Sequence, residues 1–274
     1  MLSRAIPSSG EALPLIGLGT WQTFDVGANE SARAPLRTIL QTFVEAGAAV
    51  IDSSPMYGRS EDVVGDIAAD LGLRGRLFLA TKVWTKGRAD GIRQMEQSMR
   101  KLRVDRLDLM QVHNLVDART HLDTLRGWKA DGRVRYIGIT HYTAHGAAAI
   151  AELLATEDVD FVQINYGPAE RDAERRLFPL TIDRGIAVLA NRPLGGDSRY
   201  LMKRLRSRPL PAWAAEIDCV SWPQIVLKFV VSHPAVTCAI PATSRLDHLR
   251  DNLQAGIGRL PDSELRERIA AAIR

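Results

Sequence analysis

Four side chains that can move a proton to or from an oxygen stand at, or just after, the ends of short apolar runs in this 274-residue chain. They are Asp52, Tyr57, Lys82 and His113. The runs cover residues 49–52, 77–82 and 107–113, and Tyr57 lies in the loop after the first of them. Short apolar runs are typical of buried parallel strands. Because the strands of a parallel barrel all end on one face, we expect the four side chains to converge there.

An acid, a phenol, an amine and an imidazole in one small volume can protonate a carbonyl oxygen while a hydride arrives from elsewhere. The ordinary pKa of tyrosine, about 10, is too high for easy proton exchange at neutral pH. A lysine ammonium nearby favours the phenolate and lowers that pKa, and a carboxylate beside the lysine keeps it charged. The pattern predicts Tyr57 as the general acid, Lys82 and Asp52 as the groups that tune it, and His113 as the group that orients the substrate oxygen.

Strand-like runs alternate with helical patterns along the whole chain. The candidate strands cover residues 15–19, 49–52, 77–82, 108–113, 136–140, 161–165, 187–190 and 236–240. Two of the helical patterns between them end near a glycine, Gly47 or Gly72. This alternation predicts an α/β fold, a (β/α)8 TIM barrel, as a single domain over residues 1–274. An open doubly wound sheet is the alternative, but the sequence lacks the GxGxxG turn that it would need.

Two segments interrupt the alternation. Residues 2–14, with a turn at residues 8–10, predict an N-terminal hairpin that caps the bottom of the barrel. Residues 195–221 are long for a connection between the last two strands, and they contain a basic, partly amphipathic piece at 199–208. Such an insertion is either a lid over the active face or a solvated surface helix, and we favour the helix.

The composition limits the possible function classes. A hydrophobic content of 46% and a net charge of +4 are ordinary for a globular enzyme and do not indicate a nucleic-acid partner. The two cysteines, Cys219 and Cys238, show no metal or redox spacing. His141 and His145 have an HxxxH spacing without an acidic or cysteine partner nearby, so we expect no metal. Without a membrane-spanning run or a signal-peptide pattern, we expect a cytoplasmic protein and no membrane partner.

Eight short motifs, one at each strand end, resemble the aldo-keto reductase superfamily. They are GLGTW (17–21), Asp52-Ser-Ser-Pro-Met-Tyr-Gly58, ATK (80–82), QVH (111–113), YIGIT (136–140), VQINY (162–166), RPLG (192–195) and IPATS (240–244). One motif alone is weak, but eight in the right order are specific. The resemblance implies a (β/α)8 barrel and NAD(P)H-dependent reduction of a small-molecule carbonyl substrate, an aldehyde or a ketone, to an alcohol. It leaves the oligomeric state open.

The resemblance also implies a role for individual residues. The family's catalytic tetrad falls on the four residues named above without a substitution. Gly19 and Thr20 would approach the cofactor, Gln163 would bind the nicotinamide carboxamide, and residues 193–195 would lie over the pyrophosphate. The full set assigned to the cofactor is Gly19, Thr20, Asp52, Thr140, His141, Gln163, Asn191, Pro193, Leu194, Gly195, Ile240, Thr243, Ser244, Arg245, His248 and Asn252.

The sequence departs from the family pattern at three places around the cofactor. They are Thr140–His141, in place of a serine–asparagine pair, Asn191, in place of a ring that stacks on the nicotinamide, and Ala242 with His248, in place of the lysine and arginine that hold the 2′-phosphate. Arg245 and Arg250 lie close by and could replace the latter two cations. We therefore expect NADPH as the cofactor, with NADH as the alternative.

The substrate side carries less information. Trp21, Met56, Trp84 and Asn114 are neighbours of the tetrad in sequence and predict an apolar pocket. Little chain follows the last helical pattern, at residues 263–273, so we expect an open and permissive site.

Two functions from other classes compete with reduction. One is a Schiff-base aldolase with Lys82 as nucleophile, which is disfavoured because Asp52 would keep the lysine charged. The other is a dinucleotide-binding redox sensor or scaffold with little turnover, which has no need for Tyr57.

Overall fold

Eight parallel strands form the centre of the protein in the computed structural model, which describes residues 1–195 and 198–273. A short antiparallel hairpin, β1 (Ser3–Ala5) and β2 (Ala12–Pro14), precedes them. The parallel strands are β3 (Leu18–Gly19), β4 (Val50–Asp52), β5 (Phe78–Val83), β6 (Leu107–His113), β7 (Val134–His141), β8 (Phe161–Asn165), β9 (Ala187–Asn191) and β10 (Val236–Ala239). Each overlaps a predicted run, and neighbours in sequence pair in the sheet.

The first strand closes the sheet on itself. Gly17 N–H donates to Ala239 O and Ala239 N–H donates to Leu15 O, both at 2.8 Å, so the segment before β3 pairs with β10. A Cβ atom at Gly17 would lie 2.9 Å from Val50 O, which explains why a glycine is needed at this crossing. The predicted strand over residues 15–19 is thus reduced to two residues plus bridges, but the predicted (β/α)8 barrel is confirmed.

Helices surround the barrel. Over the described residues they are α1 (Glu30–Glu45), α2 (Ser60–Asp70), α3 (Arg88–Leu102), α4 (Ala118–Ala130), α5 (Ala147–Thr156), α6 (Ala173–Asp183), α7 (Ser198–Arg206), α8 (Trp222–Ser232), α9 (Leu246–Gln254) and α10 (Ser263–Ile273), with 3₁₀ turns at Arg74–Arg76, Ala144–Gly146 and Ala212–Ile217. Asn29 caps α1 through its side chain, and Gly47 and Gly72 follow α1 and α2 with φ of +79° and +65°. Both glycines therefore end helices, as predicted.

The lower half of the barrel is filled with aromatic rings. Phe161 lies 6.0 Å from Phe78 and 5.5 Å from Tyr136, measured between ring centroids. The hairpin closes this end, because Ile6 and Leu13 join the same buried cluster. The Tyr136 hydroxyl donates to Glu11 Oε2, in the hairpin turn, at 2.7 Å. The predicted N-terminal hairpin is present, and it covers the aromatic cluster at this end of the barrel.

The insertion after β9 contains a helix packed on the barrel. Residues 196 and 197 of the predicted segment lie outside the described residues. From residue 198 the chain forms α7, whose Leu201 and Leu205 are buried while Arg206 is exposed. This agrees with a surface helix rather than a free lid.

The ring cluster generates the first prediction. We expect Phe161→Ala to lower the free energy of unfolding by about 3–5 kcal/mol, since the barrel cannot collapse into the space of a lost ring. Phe161→Leu keeps most of the volume and should cost less than about 1.5 kcal/mol. Urea denaturation followed by circular dichroism measures both, and equal losses in the two variants would contradict a packing role.

Candidate active site

Three adjacent strands place the predicted acid, amine and imidazole at the same end of the barrel. Asp52 ends β4, Lys82 is the fifth residue of β5, and His113 ends β6. Lys82 is in register with Gln111, two residues before His113. Because side chains alternate along a strand, Gln111 and His113 point to the same side, into the barrel. The structure thus brings together residues that are up to 61 positions apart in sequence, from Asp52 to His113.

Asp52 and Lys82 form a buried ion pair. Lys82 Nζ lies 2.7 Å from Asp52 Oδ2 and 2.7 Å from Ser53 O, and the lysine side chain is 0% exposed. Burial by itself disfavours the ammonium, but the charge of Asp52, with a smaller contribution from Tyr57, outweighs it and raises the pKa of Lys82. Lys82 is therefore a fixed positive charge at neutral pH.

Two glutamines hold the other oxygen of Asp52. Gln163 Nε2 donates to Oδ1 at 2.8 Å, and Gln111 Nε2 lies 3.3 Å from the same oxygen. Thr140 Oγ1 in turn donates to Gln163 Oε1 at 3.1 Å. Gln111 is not among the site residues predicted from the sequence. Its position two residues before His113, on the same face of the strand, is the signal that could have indicated it.

Tyr57 lies above the ion pair in the loop between β4 and α2. Its N–H donates to Ser54 O at 3.0 Å, and Lys82 Nζ is 5.1 Å from the centroid of its ring. Burial raises the pKa of Tyr57 above its ordinary value, and the opposing effect of Lys82 is smaller. The expectation that lysine brings the phenol below its usual pKa is therefore wrong for the protein as it stands. Tyr57 keeps its proton at neutral pH, which is the form that a general acid requires.

His113 faces Tyr57 across the pocket. The two rings are edge to face, with centroids 6.1 Å apart. Burial, followed by the charges of Lys82 and His141, lowers the pKa of His113 to about 3. His113 Nδ1 lies 3.1 Å from Ser54 Oγ, which accepts a hydrogen bond from the Met56 N–H at 3.4 Å. If Ser54 donates its proton to Nδ1, the neutral ring presents Nε2–H as a donor.

Some predicted cofactor residues use their polar groups inside the protein. Thr20 Oγ1 donates to Asp52 O at 3.0 Å, and both Thr20 and Gln163 are buried. Gly19 lies against the β10 side of the barrel, where an added Cβ would be 3.1 Å from Ile240 O. These residues shape the floor of the site, and Gln163 retains a second amide hydrogen for a ligand.

Large apolar side chains that neighbour the tetrad in sequence are exposed. Trp21, Met56 and Trp84 are 54%, 40% and 41% exposed. Gln94 holds the backbone of Trp84 at both its N–H (2.5 Å) and its carbonyl (3.3 Å). Asn114, the fourth predicted pocket residue, has a buried Oδ1 without a partner among the described residues. An exposed apolar group beside a buried acceptor is typical of a binding site.

The aromatic side chain of Tyr142, which was not predicted from the sequence as a site residue, lies directly after β7. The ring of Tyr142 stacks on that of His141 with centroids 6.0 Å apart, and the Arg192 guanidinium is 5.9 Å from the Tyr142 ring. His141 Nδ1 accepts a hydrogen bond from the Thr143 N–H at 3.2 Å, and Tyr142 O accepts one from Asn165 Nδ2 at 2.7 Å. The same rim holds Asn191, whose Oδ1 is buried and unpartnered among the described residues.

The remaining predicted cofactor residues lie after β9 and β10. Arg192 and Gly195 have φ of +49° and +105°, and Gly195 N–H donates to Arg192 O at 2.9 Å, which makes a tight turn of residues 192–195 around Pro193 and Leu194. After β10, Ile240 N–H donates to Ala190 O at 3.0 Å, and Thr243 Oγ1 accepts the Arg245 N–H at 3.1 Å. Helix α9 begins at Leu246, directly after this segment. His248 is exposed and Asn252 is buried in this helix.

A cavity of about 340 Å³ lies at the opposite end of the barrel, beneath the hairpin. Arginines such as Arg74 and Arg106 line it, together with Glu11 and Asp108. None of the tetrad lines this cavity, so the candidate active site is assigned from the chemistry of its residues and not from cavity size. Within the described ranges, we find no cluster of three metal-ligating side chains and no helix long and apolar enough to cross a membrane.

Two proteins with similar sequences cover 92% and 70% of the chain. The chain is 29% identical over 259 residues to methylglyoxal reductase YeaE of Escherichia coli (strain K12), a match that covers 92% of this chain and 89% of that protein. It is 31% identical over 199 residues to an aldo-keto reductase of Mycobacterium sp. (strain JLS), covering 70% of this chain and 67% of that one.

Solved structures show the same fold. An aldo-keto reductase from Bacillus halodurans in its holo form has a TM-score of 0.80 at 23% identity, over 99% of this chain and 96% of that one. An aldo/keto reductase from Klebsiella pneumoniae, in complex with NADP and acetate, has a TM-score of 0.79 at 24% identity, over 100% and 96%. The model of the Aldo/keto reductase family matches residues 15–273, and the chain therefore belongs to that family.

Proposed function

We propose that this enzyme reduces aldehydes or ketones to alcohols with NADPH, and that Tyr57 is the general acid. One observation carries the proposal. Tyr57 lies over a fixed positive charge, the buried Lys82–Asp52 pair, and faces a neutral imidazole, His113, across the pocket. A protonated phenol beside a buried ammonium is suited to give up its proton as negative charge develops on an oxygen.

The carbonyl oxygen of the substrate would lie between Tyr57 and His113. Both groups can donate a hydrogen bond to it, Tyr57 through its hydroxyl and His113 through Nε2–H. The bound reduced nicotinamide would supply the hydride. Tyr57 gives its proton to the oxygen, and Lys82 stabilises the phenolate that remains. Because Tyr57 is only half-buried, it can take a new proton from solvent before the next turnover.

The carboxyl end of the barrel is suited to hold the cofactor. The buried, unpartnered oxygens of Asn114 and Asn191 lie on this face, where a ligand with donor groups would satisfy them. The turn of residues 192–195 would contact the pyrophosphate, and Thr243, Arg245 and Asn252 would hold the adenosine end. The Klebsiella pneumoniae protein, which has the same fold, is in complex with NADP, and this supports NADPH as the cofactor.

The substrate class follows from the open rim. Trp21, Met56 and Trp84 offer apolar contacts while remaining exposed, so small and varied carbonyl compounds can enter. The similarity to a methylglyoxal reductase makes methylglyoxal the first substrate to test. A Schiff-base mechanism at Lys82 is disfavoured, because an amine must lose its proton to attack a carbonyl and Asp52 holds that proton in place.

The second prediction concerns the acid. We expect Tyr57→Phe to lower kcat for methylglyoxal reduction by about 10²–10⁴-fold, the usual contribution of general acid catalysis. The dissociation constant for NADPH, measured by fluorescence titration, should stay within about twofold, because the lost hydroxyl faces the substrate. Arg59→Lys, an exposed position in the same loop, serves as the control that keeps the acid and the pocket residues. A Tyr57→Phe variant with near-normal kcat would show that another group protonates the product.

The third prediction concerns pH. Reduction needs Tyr57 protonated and His113 neutral. The pKa of Tyr57 is raised, so loss of its proton should lower activity only at a pH above the ordinary pKa of tyrosine. The pKa of His113 is lowered to about 3, so its protonation should not cause a loss of activity near pH 6.5. Profiles of kcat/KM for the wild type and His113→Asn test this. An acid limb near pH 6.5 that disappears in the variant would contradict the neutral-imidazole role.

A further inference from the structure

Arg245, which the proposed function places at the adenosine end of the cofactor, already has an anionic partner. It stands immediately before α9, and its guanidinium donates to both oxygens of Asp247, Nε to Oδ1 at 3.1 Å and Nη2 to Oδ2 at 2.5 Å. The hydrogen bond from the Arg245 N–H to Thr243 Oγ1 fixes the backbone at this point. Arg245 is therefore held as a two-point clamp on a carboxylate, which is the same geometry that it would offer a phosphate.

Between Ala242 and Asn252, Arg250 is the other permanently charged cation besides Arg245. Ala242 has no charge, and His248 and Arg250 are exposed on the first turns of α9. Asp247 itself lies in the first turn of α9. Arg245 holds the pKa of Asp247 down at about 2, so this carboxylate is ionised at every pH at which the enzyme would work.

The Arg245–Asp247 ion pair is exposed to solvent, and its exposure determines how strongly the two side chains are held together. The side chains of Arg245 and Asp247 are 65% and 62% exposed. A pair of this kind is weak, so Arg245 can exchange Asp247 for a phosphate. Asp247 nevertheless remains two residues away, and its charge opposes a phosphate bound at Arg245. A ribose 2′-hydroxyl, in contrast, can donate a hydrogen bond to a carboxylate, which is how acidic residues favour NADH in other dinucleotide sites.

We propose that Asp247 determines the cofactor preference of this enzyme by competing with the 2′-phosphate for Arg245. NADPH binds through Arg245 against this competition, and NADH binds without it, so the wild type uses both cofactors. The inference rests on the proposed function, since it assumes that the adenosine end of the cofactor lies at the start of α9.

Asp247→Asn is the test, because it removes the charge and keeps the shape. We expect the dissociation constant for NADPH to fall by about fivefold, the size of effect expected for one exposed charge pair. The constant for NADH should not fall. Calorimetric titration with 2′,5′-ADP and with 5′-AMP should show the same contrast, without the nicotinamide and without turnover.

Two control variants separate competition for Arg245 from a general effect of removing a negative charge. Arg245→Gln should abolish the gain in NADPH affinity caused by Asp247→Asn. The double variant, with both substitutions, should then bind NADPH no better than Arg245→Gln alone. Asp105→Asn removes one exposed carboxylate from the opposite, amino end of the barrel and should leave both constants unchanged. Thermal unfolding of each variant reports whether the loss of an acidic residue from the first turn weakens α9 itself.

The outcomes are distinct. An NADPH-to-NADH preference that is unchanged in Asp247→Asn, or a gain that persists in the double variant, overturns the proposal. If neither cofactor nor 2′,5′-ADP binds the wild type or the variant, the adenosine site is wrong and the proposal fails with it. If the ligands bind as expected but Tyr57→Phe keeps full turnover, the proposed mechanism fails and the role of Asp247 stands.

Discussion

The buried charge of Lys82 is the constraint on which the rest of this structure depends. A fully buried ammonium needs a partner of opposite charge and hydrogen bonds to all its protons. Asp52 is the partner of Lys82, and the buried Asp52 carboxylate in turn accepts hydrogen bonds from Gln163 and Gln111. The upper half of the barrel is therefore polar, where an ordinary barrel would be filled with branched apolar side chains. Such pairs seldom add stability by themselves. What this one provides is a fixed positive field under Tyr57.

Apolar packing in the lower half of the barrel offsets the free-energy cost of burying the ion pair. Phe78, Tyr136 and Phe161 pack against one another there, and the hairpin covers them with Ile6 and Leu13. The Tyr136 hydroxyl reaches Glu11 in the hairpin turn, so the one polar atom of the ring cluster is also satisfied. The apolar and polar layers are stacked within the same strands. Strand β5 contributes to both layers: its first residue, Phe78, belongs to the aromatic cluster, and Lys82 lies in the candidate active site.

The sequence predicts the strands, the barrel and the convergence of the tetrad well, because each depends on local apolar runs and on the rule that parallel strands end together. The details that the sequence did not predict depend on how residues distant in sequence pack together and on which of two opposing effects is larger. The pKa of Tyr57 is raised because burial exceeds the effect of Lys82, and no spacing reveals which is larger. The shortening of β3 follows from the close crossing at Gly17. The stacking of Tyr142 on His141 follows from how the chain turns after β7.

Two ion pairs of similar geometry have opposite consequences because their exposure differs. Lys82 and Asp52 are held at 2.7 Å with side chains 0% and 5% exposed, so removing either partner would leave an uncompensated buried charge. Arg245 and Asp247 are more than half exposed, and water can replace either partner. The first pair must therefore stay constant through the reaction, whereas the second can open each time a ligand arrives. In the proposed function, the chemistry depends on the buried pair, whereas the cofactor preference depends on the exposed pair, where a single carboxylate can change it without disturbing the barrel.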